Sequence, residues 1–436
     1  MNIVETNRLV IRKYMKEDGQ DLYEYLSDPE VVKYEPYEPF TKEAAEEEAV
    51  RRAEMPCFYA VVLKENNKLI GNIYLEKGEF DTWEIGYVFN RRFQGKGYAT
   101  EAASALVNKA FKEWGARRLV AMCTPLNERS WKLMERLGMR REGTLLQNIY
   151  FKTDEMNRPI WLDTYEYGLL KEEWIGNQLI ACERKYLEAF STVKEEDKIA
   201  YFEDVALKDM YAHNFSFIKK SCSIDDVIEH IKDQAHERET KGFLQLVFED
   251  GRTEEEIEMI RKYSPCKMEV ERLGRYLLSD NRKMKDWKEV NGCNVIVQKT
   301  QVEVEDAIKL DVAVDGDHLS HDFCTRRAKR FGEVSIENEK CYNHLIYIGD
   351  ECIGNCMLFV DEGIAKIENF VIASEQRGKG YGLTLFKAVC QKALEVGAKR
   401  IFLDADEDDT PKELYKRLGF EKVGMHYELL WADWMK

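Results

Sequence analysis

Residues 94–99 read Gln-Gly-Lys-Gly-Tyr-Ala, and residues 377–382 read Arg-Gly-Lys-Gly-Tyr-Gly. Both stretches fit the pattern Gln/Arg-x-x-Gly-x-Gly/Ala, follow an apolar run typical of a strand, and precede a run typical of a long helix. A single match is weak evidence, because with average residue usage it arises by chance about 0.3–0.5 times in a chain of this length. Two equally placed copies indicate that a whole domain occurs twice.

Glycines at the start of a helix suit the binding of an anion. The backbone N–H groups of the first turn, with the helix dipole behind them, hold a pyrophosphate, and glycine lets the backbone approach it. A plain strand–turn–helix connection that happens to use glycine is the alternative, and the second copy disfavours it. We therefore predict that both loops bind a diphosphate group, through Gln94, Gly95, Lys96, Gly97, Tyr98 and Ala99, and through Arg377, Gly378, Lys379, Gly380, Tyr381 and Gly382.

The same succession of strand and helix patterns surrounds each of the two loops. The hydrophobic period changes between two and 3.6 residues, which predicts an α/β, or α+β, layer fold with mixed central sheets flanked by helices. We assign residues 1–174 and 293–436 to the two copies. Residues 175–292 form a middle α/β module without a glycine loop, which we interpret as a structural module packed against the C-terminal domain.

Composition narrows the classes of partner. The chain has 81 acidic and 65 basic residues and a net charge of −16, which argues against nucleic acid and is compatible with a cationic acceptor. The same charge balance could serve solubility alone. The eleven cysteines are scattered without a CxxC pair, so we expect reduced thiols and no metal site. The start lacks a signal-peptide pattern and no apolar run approaches the ~20 residues of a membrane span, so we expect a cytoplasmic protein without a membrane partner.

The two loops resemble the acetyl-CoA pyrophosphate loop of the GNAT superfamily of N-acetyltransferases. In that superfamily a second signature follows, Asn-x-x-(Ala/Ser)-x-x-x-Tyr-x-x-x-Gly-Phe. Residues 127–139 resemble it through Asn127 and Ser130, with Met134 in place of the tyrosine. Residues 408–420 resemble it through Tyr415, with Asp408 in place of the asparagine. The resemblance covers residues 1–174 and 293–436, and it makes the chain a tandem of two such domains.

The first domain is most similar to one subgroup, the ribosomal-protein alanine and aminoglycoside 6'-N-acetyltransferases. Three stretches carry this similarity: the opening Glu5–Arg12, the strand Trp83–Tyr87 and the ending Tyr165–Leu170. The resemblance implies acetyl-CoA as acyl donor and a small or peptide amine as acceptor. The amine would attack the thioester directly after losing a proton to a carboxylate or through water.

The resemblance also implies roles for individual residues. Phe89 and Ile372 lie on the strand whose backbone N–H groups stabilise the oxyanion. Tyr415 matches the tyrosine that protonates the departing thiolate, although it could simply be a core aromatic. Met134 cannot donate a proton, and Ser130, one turn earlier on the same helix face, is the substitute. Ser130 could instead aid the helix cap. For Asn127, we expect it to orient the pantetheine arm or to cap the helix.

Glu84 and Glu368 are the candidate bases, each on the strand that leads to its loop. Glu84 lies ten residues before Gln94 whereas Glu368 lies nine before Arg377, and one residue of offset should turn the side chain to the other face of the strand. Glu84 has the spacing usual in the family. Two further features concern the site: Asp163 is another candidate carboxylate, and Pro411 departs from the small residue expected in the second signature.

The function predicted for this sequence is acetyl-CoA-dependent acetylation of a primary amine on an aminosugar, a polyamine or a protein N-terminus. Three arrangements stay open: two active domains, one active domain beside an acyl-CoA-binding regulatory module, or a scaffold with idle loops. The segments Tyr34–Phe40 and Asp315–Cys324 are candidate specificity loops. A homodimer is left open as the assembly.

Overall fold

The computed structural model describes residues 2–237, 242–249, 251–278 and 280–432. The chain divides into two compact units, Met1–Asn177 and Gln178–Lys436. Each unit is built on one mixed sheet with helices packed against it, which confirms the predicted α/β layer fold. Among the described residues, none of the helices combines the length and apolar character needed to cross a bilayer.

The first unit mixes strands and helices along the chain. Among its described residues they are β1 (Asn2–Glu5), β2 (Leu9–Lys13), α1 (Gly19–Leu26), α2 (Lys42–Glu54), β3 (Phe58–Leu63), β4 (Leu69–Lys77), β5 (Thr82–Phe89), α3 (Tyr98–Lys112), β6 (Arg118–Cys123), α4 (Glu128–Arg136), β7 (Arg140–Thr153) and β8 (Pro159–Leu170). The sheet order is β1-β2-β3-β4-β5-β6-β8-β7. Helix α5 (Lys171–Glu188) follows β8.

Alternation along the strands explains how both faces of this sheet are covered. On β3, Val61 and Leu63 pack into the core beneath α3, whereas Ala60 and Val62 pack into the core beneath α1 and α2. A strand buried on both faces has a continuous run of apolar residues in its sequence, and residues 58–63 are such a run.

The sheet opens between two of its parallel strands. Strands β5 and β6 pair only from Thr82 to Glu84 and from Arg118 to Val120. Beyond these residues the strands separate, and the rest of β5 has a partner only in β4. The gap lies directly before the glycine loop, so it positions the site described below.

The second unit repeats this plan after additional elements. Among its described residues they are β9 (Thr192–Glu195), β10 (Ile199–Glu203), β11 (Phe215–Ile218), α6 (Ile224–Glu237), β12 (Leu244–Phe248), α7 (Glu254–Lys262), β13 (Glu269–Leu278), β14 (Asn294–Val297), α8 (Gln301–Leu319), α9 (His321–Glu337), β15 (Cys341–Ile348), β16 (Glu351–Asp361), β17 (Ile364–Ile372), α10 (Tyr381–Glu395), β18 (Arg400–Asp406), α11 (Pro411–Leu418) and β19 (Phe420–Trp431). The sheet order is β14-β15-β16-β17-β18-β13-β19-β12-β11-β10-β9.

Strand β13 is part of the second sheet although it precedes residue 293. It lies between β18 and β19 and is antiparallel to both, as β8 lies between β6 and β7 in the first unit. The expected specificity loop Asp315–Cys324 is instead helical, because α8 continues to Leu319 and α9 begins at His321. That segment is therefore no free loop.

Candidate active site

The two glycine loops have the same backbone conformation. Gly95 and Gly97 have φ angles of 75° and 79°, and the corresponding Gly378 and Gly380 have 75° and 90°. These values are in the left-handed region that residues with a Cβ rarely adopt. Helices α3 and α10 begin one residue after the second glycine, so the free N–H groups of each first turn face the loop.

The first residue of each loop ties the loop to the end of the preceding strand. Gln94 Nε2 donates a hydrogen bond of 2.9 Å to the Phe89 carbonyl, and Arg377 Nε donates one of 2.9 Å to the Ile372 carbonyl. Two different side chains thus perform one task. This anchoring explains why the pattern accepts either glutamine or arginine, and it gives both residues a structural role beside any contact with a ligand.

A cation missed by sequence reasoning adjoins the first loop. Arg8 donates to the carbonyl of Lys96 at 3.0 Å and to Glu101 at 2.7 Å, and its guanidinium lies 4.4 Å from the ring centre of Tyr98. Beside the second loop the neighbour is apolar, since a Cβ on Gly380 would lie 2.5 Å from the Val290 side chain. The two loops therefore differ in their charge environment.

A cleft of about 1930 Å³ runs from the first loop into the first unit. The predicted residues of this unit that line it are Glu84, Phe89, Gln94, Gly95, Gly97, Tyr98, Ala99, Asn127 and Ser130. Lys96 is exposed, with its ammonium 5.6 Å from the ring centre of Phe93. The structure thus brings together residues from β5, the glycine loop and α4.

The register of β5 shows which backbone groups face the gap. The Asn90 N–H donates to the Ile70 carbonyl at 2.9 Å. Because bonding alternates along an antiparallel pair, the N–H groups of Tyr87 and Phe89 point the other way, toward β6. Strand β6 has already separated from β5 at this level. The Phe89 N–H is therefore a donor directed into the opening.

Helix α4 presents Asn127 and Ser130 to the cleft. Asn127 is the N-cap, and its Oδ1 accepts the Ser130 N–H at 3.3 Å. Tyr87 of β5, which sequence reasoning did not select, donates from its hydroxyl to the Ser130 carbonyl at 2.8 Å. The Ser130 hydroxyl donates to the Tyr87 oxygen at 3.3 Å. Met134 is buried in the core, with 2% of its surface exposed.

The two candidate carboxylates of the first unit have different surroundings. Glu84 is exposed and lines the cleft. Its neighbours Trp83 and Ile85 pack into the core beneath α3, so Glu84 points to the opposite face of the sheet. Asp163 instead accepts a hydrogen bond of 2.8 Å from the Gln147 N–H within the β7–β8 hairpin. Asp163 is not among the residues that line the cleft.

The cleft is also lined by ionisable groups that sequence reasoning did not name. Glu35 and Tyr37 line it, and both belong to the segment expected to form a specificity loop. Burial raises the pKa of Glu35 to about 7, and the Tyr37 hydroxyl and the Arg52 guanidinium offset this in part. Arg52 is 2% exposed and donates to Glu48 at 2.7 Å. In the sequence, only their place in the predicted specificity loop pointed to Glu35 and Tyr37. No local sequence pattern indicates that Arg52, on helix α2, is buried beside them.

In the second unit Glu368 lies on the face opposite the core, although the one-residue offset predicted otherwise. The pairing of β16 and β17 shifts register between Met357 and Asn355, and Asn369 has a φ of 49°. This β-bulge adds a residue to β17 and restores the orientation. Glu368 forms an ion pair of 2.6 Å with the buried Lys366, which also pairs with Glu183 of α5.

Tyr415 is 8% exposed and packs against Phe386 and Phe420, at 5.6 and 6.2 Å between ring centres. Burial raises its pKa well above the usual range, so the phenol keeps its proton. Asp408 does not cap the following helix as Asn127 does. It pairs with Arg272 on β13, and α11 begins only at Pro411.

Comparison with known proteins identifies both halves of the tandem. Residues 8–140 match the model of the acetyltransferase (GNAT) domain, and residues 311–420 match that of the acetyltransferase (GNAT) family. An uncharacterized N-acetyltransferase, YnaD of Bacillus subtilis, is 41% identical over 174 residues, which are 39% of this chain and 98% of that protein.

Two further proteins extend this comparison. The putative ribosomal N-acetyltransferase YdaF of Bacillus subtilis is 38% identical over 96 residues, 22% of this chain and 49% of that protein. A crystal structure of a GNAT-family acetyltransferase from Bacillus anthracis is 38% identical, with a TM-score of 0.36, and covers 39% of this chain and 98% of that one.

Proposed function

This chain belongs to the GNAT family of acetyltransferases, enzymes that use acetyl-CoA as acetyl donor, and we propose that its first unit acetylates a cationic primary amine. The supporting observation is the cleft that connects the first glycine loop to Glu84 and Glu35. The carboxylates Glu84 and Glu35 attract an ammonium group, while free N–H groups at the start of α3 receive a pyrophosphate. One continuous cavity therefore suits both substrates.

Aromatic side chains favour a cationic acceptor further. Tyr34, Tyr37 and Phe40 line the cleft, and the ring centres of Tyr37 and Phe40 lie 5.2 Å apart. The faces of such rings attract an ammonium or an alkylamine. The acceptors proposed are thus amines of aminosugars, polyamines or protein N-termini.

The proposed reaction is direct transfer. The bound ammonium loses a proton to Glu84, directly or through water, and the free amine attacks the thioester carbonyl. The N–H of Phe89, directed into the gap between β5 and β6, stabilises the oxyanion that forms. Collapse of the tetrahedral intermediate then releases the CoA thiolate.

The second unit supports a different role, that of an acyl-CoA-binding module. Its loop repeats the first, but its carboxylate Glu368 is neutralised by Lys366, which is 3% exposed at its side chain. The Lys366 ammonium lies 2.6 Å from the Glu368 carboxylate, so Glu368 is less available to accept a proton from an amine. We therefore propose that the first unit carries the amine acetylation and that the second binds CoA.

Variants in the full chain test this division. A Cβ on Gly95 or Gly378 would meet no atom within 4 Å, so Gly95→Asp and Gly378→Asp place a negative charge at each pyrophosphate site without a clash. Acetylation of spermidine, an aminoglycoside and a basic peptide starting with alanine should be lost in the first variant and kept in the second. Loss of amine acetylation in Gly378→Asp alone would contradict the assignment to the first unit.

Salt provides a second measurement. Attraction between a cationic acceptor and the cleft carboxylates Glu84 and Glu35 is screened within about 8–10 Å at physiological ionic strength. The apparent KM for the amine should therefore rise with salt. An uncharged hydroxyl acceptor that reacts faster, with no effect of salt, would contradict a cationic amine.

A further inference from the structure

The two sites differ in which element supplies an aromatic hydroxyl. In the first unit Tyr87 stands on β5 two residues before Phe89, and Met134 stands on α4. In the second unit the strand position, two residues before Ile372, is Phe370. The helix position there is Tyr415. Of these two positions, one carries a phenol in each unit: the strand position in the first unit and the helix position in the second.

The strand and helix positions are close to each other in the second unit. The ring of Phe386 on α10 lies 5.7 Å from that of Phe370 and 5.6 Å from that of Tyr415. All three rings belong to one hydrophobic core. A phenol could therefore reach the same region from either β17 or α11.

In the first unit the same two elements are joined by hydrogen bonds. The Tyr87 hydroxyl bonds to both the carbonyl and the hydroxyl of Ser130, one turn before Met134. Tyr87 lines the cleft, and it lies beyond Glu84, where β5 has separated from β6. The hydroxyl therefore stands in the gap, between the strand that binds the oxyanion and the first turn of α4.

We infer that Tyr87 protonates the CoA thiolate in the first unit, with Ser130 as its positioning residue. This inference rests on the proposed function. When the carbon–sulfur bond breaks, the sulfur takes the electron pair and accepts the proton from Tyr87 Oη. The phenolate is stabilised by the Ser130 hydroxyl and regains its proton from solvent, so that amine and acetyl-CoA become amide and CoA.

The surroundings of Tyr87 keep its phenol protonated. Burial raises its pKa, and neighbouring Cys123 and Tyr167 raise it as well, while Ser130 and Arg136 act in the opposite direction. The phenol is thus fully protonated near neutral pH. The nearby Cys123 thiol also carries a proton near neutral pH, because burial raises its pKa to about 11. The Ser130 hydroxyl donates to the Tyr87 oxygen, which suits it to stabilise the phenolate rather than to replace Tyr87 as the donor.

Turnover of the full chain with an accepted amine tests the assignment. Tyr87→Phe should lower kcat by about 100-fold or more, the effect of losing a general acid, with little change in KM for acetyl-CoA. Ser130→Ala should lower it by less than about tenfold, the cost of one hydrogen bond of ~1 kcal/mol. In Tyr87→Phe/Met134→Tyr, the phenol returns on α4, as in the second unit, and kcat should recover by at least about tenfold.

Tyr165→Phe is the matched control, because Tyr165 lies on neighbouring β8 and is not among the cleft-lining residues. It should react like the wild type. If Tyr87→Phe stays within about threefold of the wild type, or if Ser130→Ala or Cys123→Ala costs more than Tyr87→Phe, the inference is wrong.

A titration that needs no acceptor separates this inference from the proposed function. CoA is bound to the Gly378→Asp chain, and its thiolate is followed by ultraviolet absorbance as pH rises. A hydrogen bond from Tyr87 stabilises the thiolate, so the thiol pKa should be lower with Tyr87 than in the Tyr87→Phe variant by about one unit, or tenfold. Equal thiol pKa values would refute the role of Tyr87. An absence of amine acetylation would refute only the proposed function.

Discussion

At the scale of single residues, Glu35 shows how position in the cleft changes a common side chain. It is half-buried in the α1–α2 connection and lies beside Tyr37 and Arg52. Burial disfavours the charged form of a carboxyl group, which moves its ionisation into the physiological range. The charge of Glu35 therefore changes with pH near neutrality.

The pKa of about 7 for Glu35 gives a pH dependence with a definite sign. Below that pH the group is protonated and neutral, and above it the carboxylate attracts the ammonium of the acceptor. The apparent KM for spermidine should therefore fall by about tenfold from pH 6 to pH 8, one unit to either side of the pKa. Glu35→Gln should abolish this part of the profile. Glu38→Gln, on the same connection but not among the cleft-lining residues, is the control; identical profiles for all three proteins would refute the role.

Lys366 gives a prediction on stability. Its ammonium, 3% exposed, lies between Glu183 and Glu368. Removing one partner of a buried ion pair leaves an uncompensated charge, so Lys366→Met should lower the free energy of unfolding by about 3–5 kcal/mol. Urea denaturation measures it. Adding Glu183→Gln and Glu368→Gln should recover most of the loss, and a triple variant less stable than the single one would contradict the ion-pair account.

At the scale of elements, each glycine loop acts together with its strand and its helix. Gln94 or Arg377 holds the loop to the end of the strand, and the left-handed glycines form the turn. The helix that follows supplies the free N–H groups. None of the three suffices alone, since a helix N-terminus binds an anion only when the chain before it leaves room.

Calorimetry should therefore detect two CoA molecules bound per full chain, one at each loop. Gly95→Asp and Gly378→Asp should each remove one site, because the carboxylate repels the pyrophosphate. Gly95→Asn has nearly the same volume without the charge and tolerates left-handed φ better than most residues, so it should retain measurable binding. One site in the wild type, or two in either aspartate variant, would contradict the paired loops.

At the scale of the whole molecule, the second unit completes its sheet with a strand from earlier in the chain. Strand β13 lies between β18 and β19, and β19 also pairs with β12. The predicted division into a middle module 175–292 and a domain 293–436 stays a prediction, but the second sheet includes strands on both sides of residue 293.

This topology predicts how fragments behave. A fragment of residues 293–436 lacks β13, so β18 and β19 would have unpaired edges that invite aggregation. A fragment of residues 178–436 contains the whole unit and should unfold cooperatively on heating, followed by circular dichroism. We expect the shorter fragment to be aggregated or to melt at a clearly lower temperature. A monomeric 293–436 fragment with the same melting temperature would show that β13 is dispensable.

Sequence and tertiary structure contributed different parts of this picture. The sequence by itself determined the two loops and the order of the elements, because glycine conformation and hydrophobic period are local properties. The contact of Tyr87 with Ser130 spans 43 residues, and that of Glu183 with Lys366 spans 183. Those pairings, the bulge that reorients Glu368 and the insertion of β13 were decided only by the tertiary structure, since each depends on which distant segments pack together, and no local pattern encodes that choice.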